Sequence, residues 1–165
     1  MLKFRALFVV LFVVFAPLAF AQVSPVSMRI EQVSKTETDK YKHTQKRSLK
    51  ILLTNASPQE RSGLTVRYYF FGKGVGDNDI IVMDKGEKQA SVGSNKTEVI
   101  ETPAVTKTAL EAHSEKGAGG KAGKKVEASG EKLVGYGAQL YEGDKLPTEY
   151  FSGPSYKALL APKQK

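Results

Sequence analysis

The chain has 165 residues, no cysteine and no tryptophan, and a formal net charge of +8. That length is enough for one domain with its own apolar core, and the lack of cysteine excludes disulfides, thiol catalysis and lipid attachment through a cysteine. The lysines are interleaved with acids along most of the chain, which favours a solvated basic surface over a dedicated anion-binding patch.

An export signal is predicted at the N-terminus. Lys3 and Arg5 precede an apolar run that ends in Ala19-Phe20-Ala21. A positive start, an apolar middle and small residues at the cleavage point are typical of a secretory signal peptide. The run is shorter than the ~20 residues of a spanning helix, so a retained membrane anchor is the weaker alternative. We therefore expect residues 1–21 to be a signal peptide and residues 22–165 to be one exported domain without a membrane span.

Alternating apolar residues predict the first strands. Residues 26–33 alternate and predict a half-buried strand, whereas the polar residues 34–44 predict a connector. Residues 45–54 and 64–71 predict two further strands around a loop rich in Asn, Ser, Pro and Gly. Successive side chains of a strand point to opposite faces, so each of these two runs offers one apolar face. The two apolar faces are Leu49, Ile51 and Leu53, and Leu64, Val66, Tyr68 and Phe70.

Shorter extended segments follow. Residues 80–83 and 87–92 predict two strands with a turn at Lys85-Gly86 between them. Residues 96–110 alternate loosely, and Pro103 interrupts them in a way that suits a sheet edge or a bulge. These elements carry little apolar surface, so we expect them to lie towards the periphery of the sheets.

The last part of the chain predicts a flexible segment and a hairpin. Residues 115–125 are rich in Gly and Lys and are expected to be mobile. Residues 133–142 and 146–152 are joined by a hairpin signal with Gly143-Asp144 as its turn, and Pro147 favours a position at a sheet edge. Seven or eight short strands, with no amphipathic helix, predict an all-β fold of the antiparallel sandwich type.

Three segments carry a resemblance to known proteins, namely SLKILLTNAS, LTVRYYFFG and GYGAQLYEGDKL. In strand patterning over roughly residues 49–152, they are similar to a group of small secreted bacterial proteins with an immunoglobulin-like sandwich. The resemblance implies that fold, and a periplasmic or surface setting, since some members of the general fold are associated with pilus-like systems. It implies no catalytic residues, and the cysteine pair and tryptophan of antibody domains are absent.

The sequence contains no catalytic or cofactor motif that we can place. His43 and His113 lie in polar segments without a motif around them, and we expect exposed imidazoles. Asp77-Asn78-Asp79, followed by Asp84, offer the oxygen ligands that calcium prefers, but the glycine of an EF-hand loop is missing, so a simple turn is favoured. We therefore predict no cofactor and no metal site.

The outer faces of the 64–71 strand and of the penultimate strand, residues 133–142, carry the predicted binding residues. Alternation leaves Gly135 and Gly137 outward on the penultimate strand, which neighbours the 64–71 strand in an immunoglobulin-like sandwich. The outward rings of Tyr69 and Phe71 either cover the backbone of these glycines or form a flat contact surface with Arg67 and Tyr141. The predicted binding residues are Arg67, Tyr69, Phe71 and Tyr141.

These observations predict an exported, non-enzymatic module for binding or surface assembly, with a protein partner or self-association. A carbohydrate-binding module that takes polysaccharide is the alternative, since the same aromatic residues suit a sugar ring. A hydrolase that uses Asp and Glu is the second alternative. Nucleic acid is not expected as a partner, because only Arg67 beside Tyr69 joins a basic and an aromatic side chain on one face.

Overall fold

The computed structural model describes residues 25–115 and 123–161, so the predicted signal peptide and most of the Gly- and Lys-rich segment lie outside the described residues. The described chain is all-β, its strands pair antiparallel, and its one helix is a short 3₁₀ helix at Lys157–Leu160. The strands in chain order are β1 Val26–Asp39, β2 Lys42–Asn55, β3 Arg61–Gly74, β4 Ile81–Val92, β5 Thr97–Glu101, β6 Val105–Leu110, β7 His113–Ser114, β8 Lys125–Val126, β9 Ser129–Glu142 and β10 Lys145–Phe151.

Eight of the strands form one sheet, and β7 and β8 pair separately. The order along the sheet is β1-β2-β6-β9-β3-β4, with β5 also beside β2 and β10 also beside β9. The apolar side chains of β1, β2 and β5 pack against those of β3, β4 and β9 in one cluster, so the sheet folds over on itself. Its two halves are joined where β6 pairs with the first residues of β9.

The core between these halves confirms the predicted inner faces. Leu49, Ile51 and Leu53 of β2 are buried and pack in the same cluster as the predicted inner residues of β3. Each such side chain stabilises the fold by about 1.5–3 kcal/mol relative to leaving it exposed. The inner face of β3 consists of Leu64, Val66, Tyr68 and Phe70.

The connector predicted for residues 34–44 is wrong. β1 and β2 form one continuous hairpin that turns at Lys40 and Tyr41, with Asp39 paired to Lys42. Lys40 adopts a φ of 50°, and the ring of Tyr41 stacks on His113 at 4.0 Å between centroids. The β1 side of this arm is exposed on both faces, so ladder hydrogen bonds hold it without an apolar period in the sequence.

The turn predicted at Lys85-Gly86 is also wrong, because β4 runs without a break from Ile81 to Val92. Gly86 lies directly opposite Tyr68 of β3. A Cβ atom at Gly86 would stand 2.1 Å from the hydroxyl oxygen of Tyr68. The glycine therefore allows a close approach of the Tyr68 ring and does not mark a turn.

The final hairpin is confirmed. Gly143 has a φ of 60°, and Lys145 pairs with Glu142 across the two-residue turn. Pro147 falls where the register shifts between Lys145 and Thr148, which is the irregular position that a proline in a strand requires. Within residues 25–115 and 123–161, no helix has both the length and the apolar character needed to cross a membrane.

Candidate binding site

The pairing of β3 with β9 brings together the segments that carry the predicted binding residues. Tyr69 lies directly opposite Gly137, and Phe71 lies directly opposite Gly135. The predicted neighbourhood of the two strands, with bulky aromatic residues across from glycines, is therefore confirmed. Arg67 lies opposite a residue that the sequence analysis did not select, Gln139.

Phe71 is not on the surface, and its predicted place in an exposed contact surface is wrong. Its exposure is 0%. Residues 152–161, which we call the C-terminal strap, fold back over the outer face of β3 and β9. The ring of Tyr156 stacks on Phe71 with centroids 4.7 Å apart and planes 9° apart. The ring of Phe151 also lies beside Phe71, with centroids 6.3 Å apart.

Hydrogen bonds fix the strap to β9. The backbone N–H of Tyr136 donates to the Ser152 hydroxyl at 2.9 Å, and the Ser152 N–H donates to the Tyr136 carbonyl at 2.9 Å. The Tyr156 hydroxyl donates to the carbonyl of Val134 at 3.1 Å. Lys157 donates to the carboxylate of Glu149, and this hydrogen bond lowers the pKa of Glu149.

The two outward glycines make room for these rings. A Cβ atom at Gly135 would lie 2.2 Å from the ring of Tyr156, and one at Gly137 would lie 2.2 Å from the ring of Phe151. Aromatic rings therefore cover the glycines, but the nearest rings are those of Phe151 and Tyr156 and not those of Tyr69 and Phe71, which were expected to cover them.

The side chain of Gln139 organises the polar part of this face. It is buried, and its Oε1 accepts from the hydroxyls of Tyr69 at 3.1 Å and Tyr141 at 3.2 Å. Its Nε2 donates to Glu149 at 3.1 Å. Burial raises the pKa of the Tyr69 hydroxyl, and the neighbouring Tyr141 adds to that effect.

Arg67 is held between an acid and a ring. Its Nε donates to Glu87 of β4 at 3.0 Å, and its guanidinium lies 4.6 Å from the centroid of the Tyr141 ring. The hydrogen bond to Glu87 raises the pKa of Arg67. Arg67, Tyr69 and Tyr141 therefore form one connected cluster, while Phe71 lies beneath the strap beside it.

A groove of about 810 Å³ runs between the outer face of β3, the strand β4 and the strap. Two basic and two acidic side chains border it, so its formal charges balance. Its apolar wall consists of Val82, Met83, Leu159 and Leu160. Its polar lining consists of Arg67, Tyr69, Asp84, Lys85, Gly86 and Glu87.

Sequence reasoning missed the strap and the hydrogen-bonding role of Gln139. The signal for the strap was the apolar group Tyr156, Leu159 and Leu160 in a segment that otherwise resembles a polar tail. The signal for Gln139 was an amide placed two residues before an outward tyrosine, Tyr141, on the same face. Neither signal shows which residues the strap or Gln139 contacts across the sheet.

Of the predicted histidine and acidic positions, Asp84 borders the groove, and the others are absent from its lining. His43 contacts Thr38 at 3.1 Å and Glu111 at 2.9 Å on the β1–β2 arm. In the described part of the chain, no three His, Cys, Asp or Glu side chains are grouped so that they could hold a metal ion. The loop that contains Asp77 therefore gains no support as a calcium site.

Comparison with known protein families, curated proteins and solved structures finds no match for this chain. No relative therefore supplies a substrate, a partner or an activity. The groove and the cluster beside it are the features of the molecule from which function is inferred.

Proposed function

We propose that this chain is an exported, non-enzymatic module for binding or surface assembly, and that the groove is its contact site for a protein partner. The observation that carries the proposal is the composition of the groove. Leu159, Leu160 and Val82 offer apolar surface beside polar groups that are already fixed in place. Binding sites combine an apolar lining with a few positioned polar groups in this way.

An immunoglobulin-like sandwich is the fold that we propose for the module. β1, β2 and β5 are neighbours in one half of the sheet, and β4, β3, β9 and β10 are neighbours in the other. This is the order of strands A, B and E, and of strands C′, C, F and G, in immunoglobulin-like sandwiches. The connection of the two halves through β6 and β9 is a departure from that pattern.

Export is proposed from the composition of residues 1–21. We expect the protein recovered from outside the cytoplasm of an expressing bacterium to begin at Gln22, because signal peptidase requires small residues at Ala19 and Ala21. Mass spectrometry of the intact protein measures this directly. An Ala19→Arg variant should keep its N-terminus, whereas a Val23→Thr variant should be cut normally. A wild-type chain that stays in the membrane uncut would contradict export.

The groove is tested by a pair of equally exposed leucines. Leu159 lies in the groove and Leu146 lies outside it on β10, and both are 41% exposed. We expect Leu159→Asp to weaken partner binding at least about tenfold, because a leucine buried on binding contributes about 1.5–3 kcal/mol. Leu146→Asp should bind as the wild type does. The measurement is quantitative capture of envelope proteins from the source organism with the three forms as bait.

Two results of that experiment would reject the proposal. Equal recovery of the same proteins by all three forms would mean that the groove is not the contact site. Absence of any specifically retained protein with wild-type bait would mean that the chain does not act as a protein-binding module. Circular dichroism of the three forms shows whether each is folded, so a loss of binding is not confused with unfolding.

The alternatives have weaker support. A carbohydrate platform needs open ring faces, but Arg67 covers the ring of Tyr141 and Tyr156 covers that of Phe71. A hydrolase needs acids that are free to exchange protons, whereas one of the two acids at the groove, Glu87, is held by Arg67. We therefore favour a protein partner over a polysaccharide or a hydrolytic substrate.

A further inference from the structure

The strand β1 has an exposed edge that no proline, β-bulge or register shift interrupts. It pairs with β2 along its whole length without a register shift and ends the order of strands in its half of the sheet. An exposed strand edge presents unpaired backbone groups that can pair with another chain. The other edges of the large sheet are shorter or interrupted: β5 has only 5 residues, β10 contains Pro147, and β4 bulges where Asp84 and Val82 face consecutive residues of β3.

A single exposed apolar residue lies in the middle of β1. Val33 is 47% exposed and lies on the outer face of the strand. On the same face, charged residues of alternating sign flank it on both sides. Within one copy of the chain, Arg29 Nη2 lies 3.5 Å from Glu31 Oε1, and Lys35 Nζ lies 2.7 Å from Glu37 Oε1.

These charges complement a second copy of the same strand. If two β1 strands pair antiparallel about a two-fold axis at Val33, Arg29 of each faces Glu37 of the other, and Glu31 faces Lys35 of the other. The two valines meet on the axis. Directly opposed side chains of an antiparallel pair lie about 4.5–5.5 Å apart at Cβ, so each charge has its counterpart within reach.

The neighbouring registers do not have this property. Moving the axis by one residue to Gln32 places Arg29 opposite Lys35 of the second copy. Moving it by one residue in the other direction places Glu31 opposite Glu37. Like charges directly opposed across strands are destabilising, so the pattern specifies both the partner and the register.

We propose that the protein forms a two-fold symmetric dimer in which the β1 edges of two copies pair antiparallel about Val33. The pairing continues the sheet from one copy into the next and covers the exposed valine. It is an isologous contact and therefore closes at two copies. This inference does not rest on the proposed function, because the groove lies on the other half of the sheet.

Charge reversal tests the partner and the register together. Glu31→Lys places lysine opposite Lys35 of the second copy, and Lys35→Glu places glutamate opposite Glu31. We expect each variant alone to weaken the dimer by about tenfold or more, because two like-charge pairs then face each other. An equimolar mixture of the two variants restores opposite charges at both positions and should form a heterodimer of wild-type stability. Analytical ultracentrifugation of the purified protein over a concentration series measures this.

Matched controls lie two strands inward. Lys107 and Glu131 form an ion pair at 2.6 Å between β6 and β9. Lys107→Glu and Glu131→Lys make the same changes in charge away from the β1 edge and should leave the dimer unchanged. A wild-type chain that is monomeric at its highest soluble concentration would overturn the proposal. So would a dimer that survives both reversals on β1, or one that the control reversals also break.

The chain has no cysteine, so a single introduced thiol reports on the axis. Val33→Cys should form a covalent dimer on mild oxidation, because the two residues at position 33 face each other. Val99→Cys, at a similarly exposed position on β5, should remain monomeric on a non-reducing gel. Equal cross-linking of the two variants, or none for Val33→Cys, would reject the register.

Discussion

Replacing Phe71 by alanine is expected to lower the free energy of unfolding by about 3–5 kcal/mol, the usual cost of truncating a buried aromatic side chain. Phe71 is fully buried, stacks on Tyr156 and contacts Phe151. Its removal leaves a cavity beneath the strap and takes away the ring that holds the strap in place. Urea unfolding followed by circular dichroism gives the change directly.

Two variants show whether the loss is specific to Phe71 or whether any substitution on the outer face lowers the free energy of unfolding. Tyr69→Phe keeps its ring and loses only the hydroxyl that donates to Gln139, so a loss of about 1 kcal/mol is expected. Tyr150→Ala, at an exposed ring, should cost less than Phe71→Ala. If the free energy of unfolding of Phe71→Ala lay within about 1 kcal/mol of the wild-type value, the strap would not pack on Phe71 in solution.

The elements that the sequence predicts correctly are those with a local cause. Leu49, Ile51 and Leu53 alternate with polar residues, and a strand has only one way to bury such a pattern. Gly143-Asp144 supplies the backbone conformation that a two-residue hairpin needs. The prediction that β3 and β9 are neighbours came from the strand order of immunoglobulin-like sandwiches, and it required no information on side-chain contacts.

The errors concern contacts between segments that are far apart in the chain. Phe71 was expected on the surface because alternation places it outward, but alternation does not report that Tyr156 returns to cover it. Gly86 was expected in a turn, but a glycine is needed there because the ring of Tyr68 leaves no room for a Cβ atom. The structure therefore groups Arg67, Tyr69 and Tyr141 in one cluster and buries Phe71, while a binding role for the cluster stays a prediction.

Asn55 is the buried polar side chain with the most contacts at one end of the sheet. It is 1% exposed, and its Nδ2 donates to the carbonyls of Gln59 at 2.7 Å, Gly93 at 3.1 Å and Val92 at 3.3 Å. Its Oδ1 accepts from the N–H and the hydroxyl of Ser57 at 3.0 and 2.8 Å. One amide thus ties the end of β2 to the loop before β3 and to the turn after β4.

Asn55→Asp is expected to destabilise the fold by about 3–5 kcal/mol at neutral pH, the cost of a buried charge without a partner. The new carboxylate has the shape of the amide but turns an oxygen, not an N–H group, towards three carbonyls. Its pKa in the folded state is therefore expected to lie above its unfolded value of about 3.9. The part of the loss that is due to the charge is then full above the raised folded pKa and disappears as the pH falls below the unfolded pKa, whereas the part due to lost hydrogen bonds remains.

The dependence on pH separates this cause from simple loss of packing. Asn55→Ala removes the same hydrogen bonds without adding a charge, so its loss relative to the wild type should stay constant between neutral and acid pH. Asn78→Asp, on an exposed loop, should cost little at either pH. Urea unfolding of the three variants and the wild type at each pH decides between these outcomes. An Asn55→Asp variant whose deficit does not shrink on acidification would show that the amide is not held by the three carbonyls.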